Sequence, residues 1–403
     1  MENVNILGKI TQKTGKKRIF YACRDIERAA AGLLLSLPNF YIITNDSIYA
    51  RALKKKYQNI LLVENTNILN TCELLKNSTS LANIKPGDHV VVFKPTKQVE
   101  QLCKINKWNL LNPPSELGQT VEEKISQIKW LGPLAKYLPK YEVNILKKIT
   151  WKNKKFILQF NHTHTGEGTY FIKNRKDLEH LQNKFPDRPA RVSEFIDGPI
   201  FTNNNVVWGD KVLIGSINYQ ITGLRPFTDN PFATVGNDWG LPSKILSEKF
   251  INQYHKMATD IGKRLAKNNW RGLFGIDVVF DVKNEKLYLI EINARQPAST
   301  SYESELQFGQ SGITTFAAHL AALLKIAPGK FELAQITDGA QIILRTQNTN
   351  RKFNFSKLNN FKLIEYENSK LSADRLRIQS KQGIMSEHTK FNKFGQEISH
   401  ALI

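Results

Sequence analysis

The chain has 403 residues, of which 41% are hydrophobic and 10% aromatic, and its formal net charge is +21. This length and apolar content suffice for two or three packed domains, which excludes an intrinsically disordered protein. No apolar run approaches the roughly 20 residues of a membrane-spanning helix, and the amino terminus lacks a signal-peptide pattern. Cys23, Cys72 and Cys103 show neither metal nor disulfide spacing, so we expect a cytoplasmic protein without a membrane partner.

The positive charge is dispersed in short clusters rather than concentrated in one basic helix or tail. Residues 13–18, 54–56 and 152–155 are examples. This distribution is typical of a solvated basic surface, and we expect no specific nucleic-acid partner. A nucleic-acid-binding protein remains an alternative that the charge alone raises.

Residues 1–115 alternate short apolar strands with helical segments. Continuous apolar strands are expected at residues 18–22, 40–44, 60–63 and 89–93, with Asp25 and Asp46 as helix caps. Apolar strands separated by helices indicate a parallel sheet that is covered on both faces. We therefore predict a Rossmann-like domain, and we assign it no dinucleotide because no Gly-x-Gly-x-x-Gly follows the first strand.

A second domain is predicted at residues 116–328. It begins with a helix at residues 121–128, and a strand at 155–160 is followed by a polar loop that contains Gly166 and Gly168. A glycine-containing flap lets backbone N–H groups approach phosphate oxygens closely, although ordinary turn chemistry explains such a loop equally well. The loop also carries His162 and His164, but no further His or Cys stands at ligand spacing, so we expect no metal there.

Residues 276–281 and 287–292 are apolar stretches that flank a polar turn, which predicts an antiparallel hairpin. Asp277 begins the first strand, while Glu291 and Asn293 lie two residues apart near the end of the second and face the same side. Glu291 interrupts an apolar run, and a buried carboxylate is costly unless it is paired or bound to a metal. Oxygen ligands of this kind suit Mg²⁺, so the hairpin predicts a divalent-cation site.

The remaining segment, residues 329–403, is expected to be a small β-rich unit. Strands are predicted at residues 340–345 and 361–366. The predicted fold is therefore α/β and α+β, with a Rossmann-like amino-terminal domain, a central domain and a β-rich carboxyl-terminal region.

The order of these motifs resembles the ATP-grasp superfamily of ADP-forming ligases. The elements are Lys124, the strand and glycine loop at residues 159–169, Glu194-Phe-Ile-Asp-Gly, Asp277, and Glu291-Ile-Asn-Ala-Arg. The resemblance covers roughly residues 110–325. A Rossmann-like domain in front of this stretch is usual in such enzymes.

The resemblance implies ATP and Mg²⁺ as cofactors, with Mn²⁺ as an alternative metal. It implies that Asp277, Glu291 and Asn293 hold the metal and that Arg295 stabilises the transferred phosphoryl group or the acyl phosphate. The implied nucleotide contacts are Lys124, Gln159, the flap residues Gly166 and Gly168, and the adenine hinge Glu194, Phe195 and Ile196.

One position departs from the family pattern. Many members have a lysine on the strand before the flap, where this chain has Gln159. A neutral amide donates a hydrogen bond but supplies no charge, and Lys173 just after the flap is a candidate to compensate. A non-catalytic ATP-grasp protein is therefore a further alternative.

The implied reaction activates a carboxylate as an acyl phosphate and joins it to an amine, with an amino acid or small peptide among the expected substrates. A carboxylase of the biotin or purine kind is the alternative enzyme. Arg225, Ser299 and Ser301 are candidate substrate contacts, although Arg225 is equally well explained as a surface arginine. The expected partners are small-molecule carboxylates and amines, with a homodimer as a possible assembly.

Overall fold

A computed structural model describes residues 2–30, 35–65, 67–161, 168–345, 358, 360–366 and 375–401. Among these residues, no helix combines the length and the apolar content that crossing a bilayer requires.

The amino-terminal domain is a parallel sheet with helices around it, as predicted, and the described residues add a fifth strand to the four that were predicted. Its strands run in the order β3-β2-β1-β4-β5, and their bounds are β1 Ile19–Ala22, β2 Phe40–Asn45, β3 Ile60–Val63, β4 His89–Val92 and β5 Asn109–Leu110. The helices of this domain are α1 Glu2–Thr14, α2 Ile48–Lys56, α3 Thr71–Lys76, α4 Ser78–Asn83 and α5 Lys97–Ile105. Fully buried strands such as β1 and β4 explain the continuous apolar runs of the sequence.

The helix boundaries differ from the prediction at two points. Asp25 precedes only a short 3-10 turn, Ile26–Arg28, and makes no side-chain cap. At α2 the cap is Ser47, whose Oγ accepts a hydrogen bond from the N–H of Ala50 at 3.2 Å, while Asp46 pairs with Arg51 at 2.8 Å. Helix α1 was not predicted, because its apolar residues are few.

A small antiparallel sheet, in the order β6-β9-β7-β8, follows the first domain. We call it the small sheet; its strands are β6 Tyr141–Ile145, β7 Phe156–Phe160, β8 Thr169–Ile172 and β9 Pro189–Glu194. Three helices lie in this part of the chain, namely α6 Ser115–Glu122, α7 Ser126–Leu131 and α8 Arg175–Lys184, together with 3-10 turns at Gly132–Tyr137 and Leu146–Lys148.

The large sheet has nine strands and continues into the carboxyl-terminal region. Its order is β15-β14-β10-β12-β13-β16-β18-β17, with β11 paired to β10. The strands are β10 Ile200–Trp208, β11 Lys211–Leu213, β12 Asn218–Thr222, β13 Thr234–Asp238, β14 Gly272–Asp281, β15 Lys286–Asn293, β16 Ala340–Arg345, β17 Lys362–Tyr366 and β18 Arg375–Ser380. The predicted β-rich tail thus extends the central sheet, and the domain boundaries at 115 and 328 remain predictions.

The other elements complete the layers around the large sheet. They are the hairpin β19 Met385–Glu387 and β20 Lys390–Phe391 and the helices α9 Pro242–Ile245, α10 Glu248–Lys267, α11 Thr300–Gln307, α12 Thr315–Leu323 and α13 Lys393–His400. Helix α10 packs Tyr254, Ala258 and Ile261 against one face of the sheet. Helices α11 and α12 lie towards the amino-terminal domain, as the hydrogen bond from Ser301 Oγ to the carbonyl of Arg28 at 3.1 Å shows.

Candidate functional site

The predicted hairpin is strands β14 and β15, and it contains an irregularity that the sequence does not reveal. Asp277 pairs with Glu291, but Val278 pairs with Leu289, so Ile290 is an extra residue. A β-bulge of this kind reverses the alternation of the strand. Leu289 therefore packs in the core with Val278, while Glu291 faces the same side as Asp277.

Three oxygen-bearing side chains meet at this end of the hairpin, as predicted. Asn293 Nδ2 donates to Asp277 Oδ2 at 3.3 Å, and Asp277 is 8% exposed. Burial and the neighbouring charge of Glu291 raise the pKa of Asp277 to about 6. For Glu291, burial by itself raises the pKa, but Lys124 and Arg295 outweigh it and bring the pKa below its usual value.

Lys124 reaches the hairpin because the helix predicted at residues 121–128 is broken. The chain leaves α6 at Glu123, which is extended, and Asn161 Oδ1 accepts the N–H groups of Ile125 and Ser126 at 2.9 and 3.3 Å. The interruption places Lys124 Nζ 3.2 Å from Glu291 Oε1. Lys124 Nζ is buried and has no hydrogen-bond partner of acceptable geometry within the described residues.

Arg295 lies beside this pair and is held by a second acid. Its Nη1 donates to Glu122 Oε1, and Lys94 Nζ of the amino-terminal domain lies 2.5 Å from Glu122 Oε2. Burial by itself lowers the pKa of Arg295, but Glu122 and Glu291 outweigh it and raise that pKa above its usual value. Glu122 and Lys94 were not predicted, because neither stands in a recognisable motif.

The neutral Gln159 is accompanied by a cation that the sequence analysis missed. Gln159 pairs across strands with Arg191, and its Oε1 accepts from Arg191 Nε at 3.1 Å and from Nη2 at 2.5 Å. Gln127 Oε1 accepts from Arg191 Nη1 at 3.4 Å. Arg191 is 3% exposed, and burial lowers its pKa to about 10, so it stays charged at neutral pH. Gln159 and Arg191 are 32 residues apart in the sequence and meet only because their strands pair. No local sequence pattern predicts that pairing.

The predicted hinge follows the same strand, β9. Glu194 forms an ion pair with Lys154 at 2.6 Å. The ring of Phe195 lies 4.4 Å from that of Phe171 on β8, and Ile196 is half-buried. The hinge is thus adjacent to the strand that leaves the flap, which suits a planar apolar ligand.

Only part of the predicted flap can be placed. Gly168 is buried, and its carbonyl accepts the N–H of Phe160 at 3.0 Å. Gly166, His162 and His164 lie outside the described residues. Lys173 lies with its Nζ 5.5 Å from the ring centroid of Phe171.

The three candidate substrate residues are not brought together. Arg225 is exposed and pairs with Asp229 at 3.5 Å. Ser299 Oγ hydrogen-bonds with Asn204 of β10, and Ser301 contacts Arg28. Arg225 therefore lies on the surface. Ser299 and Ser301 connect the segment after Arg295 to β10 and to the amino-terminal domain.

A row of polar side chains continues from Asp277 across the same face of the large sheet. Neighbouring strands contribute Thr202 beside Asp277, then Asn218, Asn237, Gln341, Arg377 and Gln379. We call this the polar row. Asn237 donates to Asn218 at 2.8 Å and Gln341 donates to Asn237 at 3.0 Å.

The polar row contains several buried atoms without a hydrogen-bond partner in the described part of the chain. They are Asp277 Oδ1, Asn218 Nδ2, Arg377 Nε and Gln379 Oε1. Unpartnered buried polar atoms are rare in folded proteins because each costs about 1–3 kcal/mol. Their concentration on one face indicates a surface that takes polar ligands.

The chemistry of the hairpin fits a hard divalent cation. Asp277 and Glu291 supply carboxylate oxygens and Asn293 an amide oxygen, and Asp277 Oδ1 is buried without a hydrogen bond within the described residues. Those residues hold no group of three or more His, Cys, Asp or Glu side chains that would form a complete cage. Mg²⁺ commonly completes its shell with water and phosphate oxygens, so two carboxylates suffice.

Comparison with known proteins identifies a domain family and several structures of the same fold. Residues 121–299 match the family described as the ATP-grasp domain. No curated protein matches the sequence.

Several solved structures share the fold over nearly the whole chain. An L-amino acid ligase from Bacillus licheniformis superposes with a TM-score of 0.66 at 14% identity, covering 96% of this chain and 98% of the ligase. A biotin carboxylase from Campylobacter jejuni has a TM-score of 0.64 at 15% identity, covering 96% and 91%. An N5-carboxyaminoimidazole ribonucleotide synthetase from Thermotoga maritima has a TM-score of 0.62 at 13% identity, covering 96% and 98%.

Proposed function

We propose that this chain, whose residues 121–299 match the ATP-grasp domain family, is an ATP-dependent, ADP-forming ligase of the ATP-grasp superfamily. It activates a carboxylate as an acyl phosphate and joins it to an amine, with an amino acid or small peptide among the substrates. Structures of ATP-grasp neighbours with bound ADP support the use of ATP.

One observation carries the proposal, namely that the buried Asp277 and the half-buried Glu291 face cations on separate elements. Lys124 precedes the small sheet, Arg191 lies within it and Arg295 follows the hairpin. The negative charge of Glu291 favours the protonated form of both Arg191 and Arg295. Cations from both sides of a metal site are what a polyphosphate requires, because its negative charge exceeds that of the metal.

The protein residues act by binding and orientation. Asp277, Glu291 and Asn293 would hold Mg²⁺, which supplies charge neutralisation for the phosphates when it is bound. Lys124 and Arg191 would contact phosphate oxygens, and Gln159 keeps the Arg191 guanidinium in place. The hinge at residues 194–196 and the flap glycines Gly166 and Gly168 would hold the adenine and the phosphates.

The chemistry needs no nucleophile from the protein. A carboxylate oxygen of the substrate bonds to the γ-phosphorus of ATP while the bond to the β-γ bridging oxygen breaks, releasing ADP. The amine nitrogen then bonds to the acyl carbon, phosphate leaves with the C–O electron pair, and the amine loses a proton. Arg295, whose guanidinium interacts with Glu122 and Glu291, would stabilise the transferred group.

The polar row offers a location for the acid and the amine. It begins at Asp277, and Asn218 Nδ2, which has no hydrogen-bond partner within the described residues, is a donor suited to a carboxylate. At the other end of the row, Arg377 is 4% exposed and pairs with Glu27 of the amino-terminal domain at 2.8 Å.

A second candidate is a carboxylase that activates bicarbonate by the same chemistry. The observation that favours it is the carboxyl-terminal region, whose strands extend the large sheet. The superposition with the biotin carboxylase covers 96% of this chain. Because the identity is low, this likeness shows the fold alone.

The test is a screen for ADP release with pooled amino acids, small carboxylic acids and amines, with and without bicarbonate. We expect turnover that requires an acid and an amine and ignores bicarbonate. Turnover that requires bicarbonate would establish the carboxylase instead. Absence of any ATP turnover, with MgATP binding retained in calorimetry, would contradict both and favour a non-catalytic ATP-grasp protein.

A further inference from the structure

A cleft of about 790 Å³ lies at the far end of the large sheet from the hairpin. Helix α11, the segment at residues 335–338 and the ends of β17 and β18 enclose it. The residues that matter for its chemistry are Tyr302, Leu306, Asp338, Gln379, Lys381 and Phe394. Volumes of this size are typical of small-molecule sites.

The cleft lies at the β18 end of the polar row and is separate from the proposed metal site at its β14 end. Five strand spacings of about 4.8 Å each separate Asp277 on β14 from Gln379 on β18, which is about 24 Å along the sheet. The lining contains neither Arg377 nor Asn218. A small substrate cannot contact both places at once.

A buried polar atom at the wall of the cleft has no partner. Gln379 is 5% exposed, and its Oε1 accepts no hydrogen bond within the described residues. The neighbouring groups are already satisfied, since Tyr302 donates to the carbonyl of Ser380 at 2.6 Å. A ligand with an N–H donor would satisfy the Gln379 oxygen.

The charges that line the cleft are of both signs, and two of them form no ion pair within the described residues. Lys362 forms an ion pair with Glu305 at 2.7 Å. Asp338 Oδ1 accepts only backbone N–H groups, from Gly339 at 2.9 Å and Gly383 at 2.5 Å, and Lys381 has no ion pair within the described part of the chain. One negative and one positive group thus remain at the cleft, beside the apolar Leu306 and Phe394.

We propose that this cleft is a second, non-catalytic binding site for a zwitterionic amino acid or short peptide. The ammonium group binds Gln379 Oε1 and Asp338, and the carboxylate binds Lys381. The apolar side chain lies against Leu306 and Phe394. A ligand of one charge sign would leave either Asp338 or Lys381 unused.

Isothermal titration calorimetry of the full chain without ATP tests this site. The probes are the twenty common amino acids, one at a time, and the dipeptide Ala-Ala. We expect at least one probe to bind and its affinity to fall at least tenfold in Lys381→Gln and in Gln379→Leu. Lys381 is exposed, so its substitution leaves the fold intact even if the buried Gln379→Leu change does not.

Two controls distinguish this site from the proposed metal site. Lys330→Gln removes an equally exposed lysine outside the cleft, and Arg295→Gln alters the proposed catalytic site. Both should leave the affinity within about twofold of the original protein. The proposal is overturned if no probe binds, if Lys381→Gln leaves the affinity unchanged, or if Arg295→Gln weakens binding as much.

Discussion

The two faces of the large sheet are built from the same strands but contain opposite chemistry. One face carries Phe201, Tyr219, Ile276 and Val278 and packs against helix α10 as the main hydrophobic core. The other carries the polar row, which begins with Asp277. The first face stabilises the fold, and the second holds polar atoms that have no hydrogen-bond partner within the described residues, which is typical of a surface that water or a ligand satisfies.

Adjacent residues of one strand therefore have different consequences when substituted. Ile276 and Asp277 are neighbours on β14 and point to opposite faces. Substitutions on the apolar face should change stability and leave kinetics alone, and substitutions on the polar face should do the reverse.

The largest expected effect is that of Glu291→Gln. The change keeps the shape of the side chain but removes the charge that opposes Lys124 and assists a metal. We expect Mg²⁺-dependent ATP turnover to fall by about 10³-fold, comparable with the loss of a strong electrostatic contact in a catalytic site. The measurement is steady-state ADP release, with circular dichroism to verify the fold. Unchanged turnover would contradict the site assignment.

Arg191→Gln tests whether this arginine supplies the charge that Gln159 lacks. Loss of a buried, charge-assisted contact is worth about 1.5–3 kcal/mol, so we expect KM for ATP to rise roughly 10- to 100-fold. Arg191→Lys should restore part of the affinity. The matched control is Lys173→Gln, whose residue lies over Phe171 and should matter little. A larger effect at Lys173 would reverse the assignment.

The pKa of Asp277 predicts a pH dependence of metal binding. Burial and Glu291 raise that pKa to about 6, so below pH 6 a proton competes with the metal. Mg²⁺ affinity should fall about tenfold for each pH unit below 6. The folding stability of the metal-free protein changes in the opposite sense. It should increase as the pH falls from about 6 towards 4, because protonation of Asp277 removes the cost of a buried charge.

Calorimetric Mg²⁺ titrations between pH 5 and 8, made with the nucleotide present, measure this dependence. The variant Asp277→Asn should bind the metal weakly at every pH and lose the slope. An identical slope in that variant would assign the proton to another group.

The smallest effect on activity is expected on the opposite face. Ile276→Ala removes a fully buried side chain and should lower the free energy of unfolding by about 2–5 kcal/mol. The ratio kcat/KM should stay within about twofold at 25 °C. Urea denaturation and the ADP-release assay together check this contrast. A tenfold loss of kcat/KM in the folded variant would show that the two faces are not independent.

Local sequence patterns predicted much of this fold. The parallel amino-terminal sheet, the flap strands and the hairpin were predicted from apolar runs and polar turns, because these signals are contained within a few residues. The Glu-Ile-Asn-x-Arg resemblance located the acid pair and Lys124.

The missing features depend on register and on distant pairing. The extra residue Ile290 decides which side Glu291 faces, and nothing in the composition of the strand marks it. Arg191 meets Gln159 only across strands. The polar row combines strands from residue 202 to residue 379, so no single segment displays it.

The break between α6 and α7 connects the segment that carries Lys124 to the small sheet. Asn161 ends the first strand of the flap, and its side chain holds Glu123 at 2.6 Å and the N–H of Ile125 at 2.9 Å. The segment that carries Lys124 is therefore fastened to the small sheet, and the distance between Lys124 Nζ and the Glu291 carboxylate depends on where that sheet lies.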